Sequence, residues 1–313
     1  MDADTSAPAS APTLAMVGLG RMGANMARRL ARGGARVHGF DAQPEARAAL
    51  ADEPGVATHG SLADAVAALP APRVVWLMLP AGEPSEAAMA ELVTRLAPGD
   101  LVVDGANANY LESQRHAREL AAHGLLFADC GVSGGVWGLA NGYCLMFGGD
   151  DTAAARLEPF ARLLAPGPGQ GWLHCGPAGS GHFVKMIHNG IEYGAMQAYA
   201  EGFALLEGKT EFDLDLAAIG ELWRHGSVVR SWLLDLTVDA LKDPGALDAV
   251  APYVADSGEG RWTVDEAVRQ GTPAPVIALA LMSRFASQGK ADVGNRLLSL
   301  MRKGFGGHAV KAK

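Results

Sequence analysis

Cysteine is scarce: Cys130, Cys144 and Cys175 are the only three in 313 residues, and no two of them follow a C-x-x-C spacing. That excludes a disulfide framework and a structural zinc site, and it fits a reducing, cytoplasmic setting. Positive charge is in deficit, with 26 Lys and Arg against 34 Asp and Glu and a formal charge of −8 at pH 7. Such a balance argues against a nucleic acid or an anionic membrane as partner, while leaving room for an anionic small molecule at a locally positive site. No apolar run reaches the ~18 residues that a membrane span requires. The nine histidines are scattered, and none forms an H-x-x-x-H pair beside a carboxylate, so no metal site is expected. Residues 1–13, rich in Ala, Ser and Pro, lack the basic start and apolar core of a signal peptide and read as a disordered leader.

What is present organises the chain into two parts. Residues 14–19 form a short apolar run ending in glycines, and Met22, Met26 and Leu30 then recur at helical spacing up to Gly33-Gly34. Residues 36–40, 74–79, 101–103, 125–129 and 144–147 read as further strands with helical patterns between them. Strands alternating with helices imply right-handed βαβ units and a parallel sheet. Beyond Gly176-Pro177 the pattern is helical only, over 181–209, 223–241, 264–270, 276–287 and 295–302. The expected fold is an α/β Rossmann-type domain over 14–176, followed by an all-α domain over 177–313. The latter is expected to bind substrate and to complete its core by dimerisation.

Gly18-Leu19-Gly20-Arg21-Met22-Gly23 spells G-x-G-x-x-G directly after a strand and at the opening of a helix. There the glycines allow a tight turn, close approach of a pyrophosphate and close helix packing. Asp41 ends the next strand, where a carboxylate can accept hydrogen bonds from the adenosine ribose. Ala42-Gln43-Pro44 follows, with no cation to hold a 2′-phosphate, so NAD is favoured over NADP.

A second constellation lies in Lys185-Met186-Ile187-His188-Asn189-Gly190-Ile191-Glu192-Tyr193. On a helix, Lys185, Asn189, Glu192 and Tyr193 fall near one face, because residues three and four apart are neighbours. A core-facing helix would carry apolar groups there. This face offers instead a base, an acid and two hydrogen-bonding groups, which is what proton transfer needs. Taken singly, a helical lysine is usually solvated and His188 is more often a satisfied core residue. A serine nucleophile is not expected at Ser133, whose glycine-rich surroundings read as a binding loop.

Together these segments resemble the decarboxylating 6-phosphogluconate dehydrogenases, within the β-hydroxyacid dehydrogenase superfamily, over nearly the whole chain after the leader. Val102-Val103-Asp104-Gly105-Ala106-Asn107 is similar to the family's strand-plus-D-G-G-N segment, with Ala106 in place of a glycine. The run from Gly131 through Ser133-Gly134-Gly135 to Gly138 resembles its substrate loop, and Lys185 to Tyr193 its catalytic helix. Arg302-Lys303-Gly304-Phe305-Gly306-Gly307-His308 resembles its C-terminal tail, which reaches a neighbouring subunit's site. The length is that of the short, NAD-preferring form.

The resemblance implies oxidative decarboxylation of 6-phosphogluconate, a phosphorylated sugar acid, to ribulose 5-phosphate and carbon dioxide. Lys185 would be the general base and Glu192 the acid that protonates C1. Asn189 and Asn107 would orient hydroxyls, with Asn107 also beside the cofactor. Ser133, Gly134 and Gly135 would hold the carboxylate, and His188 would join the substrate contacts. Tyr193, Arg284 and Arg302 would hold the phosphate, and His308, from the partner subunit of a homodimer or homotetramer, would contact a substrate hydroxyl. Ser257 stands where the longer enzymes carry a phosphate-binding lysine, leaving Arg284 and Arg261 as alternatives. Competing readings are a 3-hydroxyisobutyrate-type or unphosphorylated sugar-acid dehydrogenase, and a catalytically silent NAD-binding protein.

Overall fold

The computed structural model describes residues 11–243, 245–306 and 309–311, which divide into two compact units, Met1–Met186 and Ile187–Lys313. The first unit opens with β1 (Thr13–Val17), α1 (Arg21–Arg32), β2 (Arg36–Phe40), α2 (Pro44–Ala48) and β3 (Val56–Thr58). Next come α3 (Leu62–Ala67), β4 (Val74–Leu77), α4 (Glu83–Val93), β5 (Leu101–Asp104) and α5 (Tyr110–Ala121). It continues with β6 (Leu126–Ser133), α6 (Gly138–Asn141), β7 (Cys144–Gly149), α7 (Asp151–Leu164) and β8 (Trp172–Gly176).

The strands form one eight-stranded sheet in the order β3-β2-β1-β4-β5-β6-β7-β8. β1 to β6 run parallel; β7 pairs antiparallel with β6 and parallel with β8. Alternate residues of a strand face opposite sides of the sheet. In β1, accordingly, Leu14 and Met16 enter one core with Met26, Leu30 and Trp76, while Ala15 and Val17 enter the other with Leu77, Leu92 and Phe127. Both faces are covered by helices, as a parallel sheet requires. Full burial of a side chain such as Leu30 contributes about 1.5–3 kcal/mol. The strand order reverses between β1 and β4, and ligands of open α/β sheets bind in the crevice that such a reversal leaves at the strands' carboxyl ends.

The helix α8 (Ser180–Gly208) begins in the first unit and runs on into the second. There follow α9 (Leu216–Trp223), α10 (Trp232–Leu241), α11 (Glu259–Gln270), α12 (Pro275–Ser287) and α13 (Asp292–Gly306). The second unit has two small apolar clusters, one around Tyr193, Ala280 and Leu281 and one around Phe203, Leu234 and Val238. Large apolar side chains remain outside them, including Leu205, Leu222 and Leu279, and every described side chain of α13 up to Gly304 is exposed.

The fold class is the one expected, with local differences, among them α9, which starts before the helix predicted from 223, and β6, which runs on to Ser133. The helix predicted over 223–241 is broken: Gly226 takes φ +77°, and Ser231 restarts the chain as the cap of α10, accepting the Leu234 N–H at 3.1 Å. Strands β3 and β8 were not anticipated. β1 begins at Thr13, inside the stretch read as leader, of which residues 1–10 lie outside the description. Among the described residues, no helix is long and apolar enough to cross a membrane.

Candidate active site

The glycine fingerprint assigns a different task to each glycine. Gly18 takes φ +92°, and a Cβ there would lie 2.4 Å from Met78 O. A Cβ on Gly23 would meet Gly18 O at 1.9 Å, so α1 can close on the turn only without a side chain. Gly20 is the reverse case: nothing lies within 4 Å of a Cβ built there, at the uncapped N-terminus of α1. That open space, faced by unsatisfied N–H groups, fits the pyrophosphate of a dinucleotide. Leu19 is buried under the turn, while Arg21 is exposed and Met22 packs on the sheet core.

Asp41, just past β2, accepts the Leu19 N–H on Oδ2 at 2.7 Å and the Gln43 N–H on Oδ1 at 2.8 Å. It therefore clasps the fingerprint turn, and each oxygen keeps a lone pair for a ribose hydroxyl. Arg47 returns to the same loop and donates to the carbonyls of Asp41 (2.7 Å) and Ala42 (3.2 Å). Counting along Ala42-Gln43-Pro44 does not find this cation; the turn of α2 brings it there.

Substrate candidates of this unit lie on β5, β6 and α8. Asn107 is exposed, three residues beyond β5. Asp129 on β6 accepts the Gly179 N–H at 2.6 Å and the His182 N–H at 2.7 Å, so a buried carboxylate anchors the N-terminus of α8. One turn later comes Lys185, only 5% exposed. A Cβ on Gly131 would meet Lys185 Cβ at 2.3 Å, and one on Gly181 would meet Met146 O at 2.5 Å. Strand and helix thus touch without intervening side chains, and β6 delivers Ser133 two residues past this contact. Gly131 to Gly135 does spell G-x-S-x-G. Yet Ser133 ends a strand paired antiparallel with Cys144 of β7 and leads into a 3₁₀ turn, unlike the strand-to-helix elbow of a hydrolase.

In the second unit, His188 Nδ1 lies 3.0 Å from Asn189 Oδ1 and 3.9 Å from Glu192 Oε2. The Glu192 side chain is 41% exposed, open to a ligand. Tyr193 is buried, and Arg284 stacks its guanidinium 3.5 Å from the Tyr193 ring centre while donating to Ala255 O at 2.8 Å. Ser257 joins this pair: its Oγ is 3.2 Å from Tyr193 Oη and donates to Glu259. Glu259 is buried two residues from Ser257, a placement that carries no motif of its own in the sequence. Arg261 is engaged apart from them, paired with Asp256 and stacked over Phe285. Glycines again make the contacts possible, since a Cβ on Gly260 would strike the Tyr193 ring at 2.4 Å. Arg302 lies on the exposed α13, and His308 is outside the described residues. Among the described residues, no group of three or more His, Cys, Asp or Glu could hold a metal ion.

Comparison with known proteins points one way. The model of the NAD binding domain of 6-phosphogluconate dehydrogenase matches residues 13–167, and that of the 6-phosphogluconate dehydrogenase C-terminal domain matches 181–308. A Haloferax volcanii protein named NAD(+)-dependent, decarboxylating 6-phosphogluconate dehydrogenase is 43% identical over 302 residues, 96% of this chain and 99% of that one. The solved Plasmodium falciparum 6-phosphogluconate dehydrogenase, known with NADP+ and with 6-phosphogluconate, superposes with a TM-score of 0.82 at 25% identity. That match covers 96% of this chain and 66% of the parasite chain. A Mycobacterium tuberculosis 3-hydroxyisobutyrate dehydrogenase gives a TM-score of 0.70 at 26% identity, over 90% and 94% of the two chains.

Proposed function

The chain belongs to the 6-phosphogluconate dehydrogenase family, and on that premise we propose that it converts 6-phosphogluconate and NAD to ribulose 5-phosphate, carbon dioxide and NADH. The observation that carries this reading is α8, one helix that bears a buried lysine against the Ser133 strand and continues through Asn189, Glu192 and Tyr193. Residues 14–176 are assigned to the cofactor and 177–313 to substrate and dimerisation.

The nicotinamide, when bound, accepts a hydride from C3 of the sugar acid. Lys185, neutral at that moment, takes the proton of the C3 hydroxyl. Asn107 and Asn189 hold neighbouring hydroxyls, with His188 beside Asn189. Ser133 and the backbone N–H groups of Gly134 and Gly135 hold the C1 carboxylate. Loss of carbon dioxide from the resulting β-keto acid sends an electron pair to the C3 oxygen, and protonated Lys185 stabilises the enolate that forms. Glu192 then gives its proton to the carbon that bore the carboxylate, C2 of the acid and C1 of the ribulose product. The phosphate is held by Arg284, whose planar guanidinium suits phosphate oxygens, with Tyr193 beneath it. Arg302 completes the phosphate end, a role that suits the exposed α13, and His308 contacts a substrate hydroxyl from the partner subunit. The uncovered apolar side chains of the helical unit support a homodimer or a homotetramer.

Asp41 supports NAD as the cofactor, since a carboxylate there repels a 2′-phosphate. The Haloferax relative's name agrees, whereas the Plasmodium enzyme carries NADP+. A dehydrogenase for short β-hydroxy acids is the second reading, favoured by likeness to the 3-hydroxyisobutyrate enzyme. The pairing of Arg284 with Tyr193 favours a phosphate end over it. Incubation with 6-phosphogluconate and either nucleotide, following reduced nicotinamide and released carbon dioxide, tests the proposal. Reduction coupled to carbon dioxide supports it and sinks a silent role; activity on 3-hydroxyisobutyrate alone refutes it.

A further inference from the structure

Two carboxylates are buried where the chain enters α11: the Asp256 side chain is 3% exposed and Glu259 is 6% exposed. Asp256 pairs with Arg261 and accepts the Gly258 N–H on Oδ1 at 3.0 Å. Burial works against its ionised form, yet Arg261, the Gly258 N–H and Arg284 together hold the carboxyl below its usual range. Glu259 accepts the Ser257 hydroxyl. Ser257 Oγ lies 3.2 Å from Tyr193 Oη, and the Ser257 N–H donates to that same oxygen at 3.3 Å. Arg284 rests on the Tyr193 ring, 3.5 Å from its centre, and donates from Nη1 to Ala255 O at 2.8 Å. Arg261 stacks 4.6 Å from the centre of Phe285, and Lys290 adds an exposed amine 5.0 Å from the same ring.

These contacts set both the hydrogens and the charge. An ionised Glu259 only accepts, so the single Ser257 hydroxyl proton points to it, and Ser257 Oγ offers Tyr193 a lone pair. Ser257 therefore links a buried negative charge to the ring on which Arg284 rests. Arg261 and Arg284 bring two positive charges to this end, and Asp256 and Glu259 bring two negative ones. The exposed Lys290 amine is screened by water. A phosphate carries about −1.5 to −2 charges, so its attraction to Arg284 is offset by carboxylates that lie out of water, where screening is weak. A terminal hydroxyl meets neither the attraction nor the repulsion.

We propose that the protein also oxidatively decarboxylates unphosphorylated six-carbon sugar acids such as gluconate, and that Glu259 sets the balance between the two substrate classes. This second activity rests on the functional reading above. A hydride passes from C3 to NAD, and the C1–C2 bond breaks to release carbon dioxide. One proton leaves the C3 hydroxyl and one is delivered to C2, so the products are NADH, carbon dioxide and the unphosphorylated pentulose. Glu259, buried behind Ser257, acts on the terminal group through its charge rather than by contact.

Turnover of gluconate and of 6-phosphogluconate by the full-length protein with NAD, following NADH and carbon dioxide, tests this. The kcat/KM for gluconate should lie within about 100-fold of that for 6-phosphogluconate, whereas a site built to bind a polar group rejects an analogue lacking it by about 10⁴-fold or more. Glu259→Gln keeps an acceptor for Ser257 and removes the charge, so it should raise the preference for the phosphorylated acid roughly tenfold. Ser257→Lys, at an exposed position, should move the preference the same way, and it decides the matter if the glutamine variant fails to fold. A packing defect alone lowers both activities together, so an unchanged ratio overturns the role of Glu259. A gluconate deficit beyond about 100-fold in the native protein overturns the second activity. A native protein inert towards both acids overturns the functional reading instead.

Discussion

Replacing Asp41 by asparagine separates its two tasks, the clasp on the Leu19 turn and the choice of cofactor. Two unit charges about 4 Å apart interact by about 4 kcal/mol at an effective dielectric near 20 and by about 1 kcal/mol in bulk water. Asp41 is partly exposed, which places it between these limits, and a 2′-phosphate carries about −1.5 to −2 charges. The repulsion is then about 2–4 kcal/mol, or roughly 30- to 1000-fold in kcat/KM for NAD over NADP. Asp41→Asn should bring that ratio to within about tenfold. The clasp weakens too, because an amide has one acceptor oxygen for the two N–H groups that Asp41 now holds. Leaving one of them without an acceptor costs about 1–3 kcal/mol. The assay is the initial rate of nicotinamide reduction with each nucleotide, alongside thermal melting of native and variant protein. Equal use of NAD and NADP by the native protein would refute the reasoning. So would an unchanged ratio in the variant, and Arg47, seated at the same loop, would then be the group to examine.

Three further outcomes can be checked separately. Lys185→Met should lower kcat by about 10²–10⁴-fold, the usual contribution of a general base, while calorimetric binding of NAD stays near native. Arg284→Ala should raise KM for 6-phosphogluconate by roughly 10–100-fold, the equivalent of one lost charge-assisted hydrogen bond, and leave oxidation of unphosphorylated gluconate unaffected. Gly23→Ala drives a methyl into Gly18 O, and such overpacking should cost about 1–3 kcal/mol in urea unfolding and weaken NAD binding.

The elements legible in the sequence were those with a strong local signal. The strand over 36–40 agrees with β2 residue for residue, because Arg36, Gly33-Gly34 and Asp41 bracket it on both sides. β3 has three residues and β8 reads Trp-Leu-His-Cys-Gly, so neither carries an apolar run, and both exist because a neighbouring strand supplies hydrogen bonds. The break between α9 and α10 did have a local signature in Gly226 and Ser231, but the apolar periodicity on either side outweighed it. For the site, motifs pointed to Lys185, Ser133 and Asp41 because each lies in a recognisable run. They did not point to Glu259, whose burial only the packed chain creates. Arg47 shows the same limit, since a helical turn returns it to a loop that linear counting had declared free of cations.

Glycine makes up 40 of the 313 residues, a richness that ordinarily suggests pliability. Where β6 meets α8 it has the opposite effect. Gly131, Gly148 and Gly181 have neighbours between 2.3 and 2.7 Å from the place where even a methyl would stand. The smallest replacement open to each is already too large, so the spacing between the strand of Ser133 and the helix of Lys185 cannot be adjusted by small steps. It behaves as a fixed gauge rather than a tunable one. Any adaptation of this scaffold to a longer or shorter acid must therefore be made at the rim, through the exposed residues Gly135, Val136 and Trp137, where side chains can grow or shrink without disturbing the gauge.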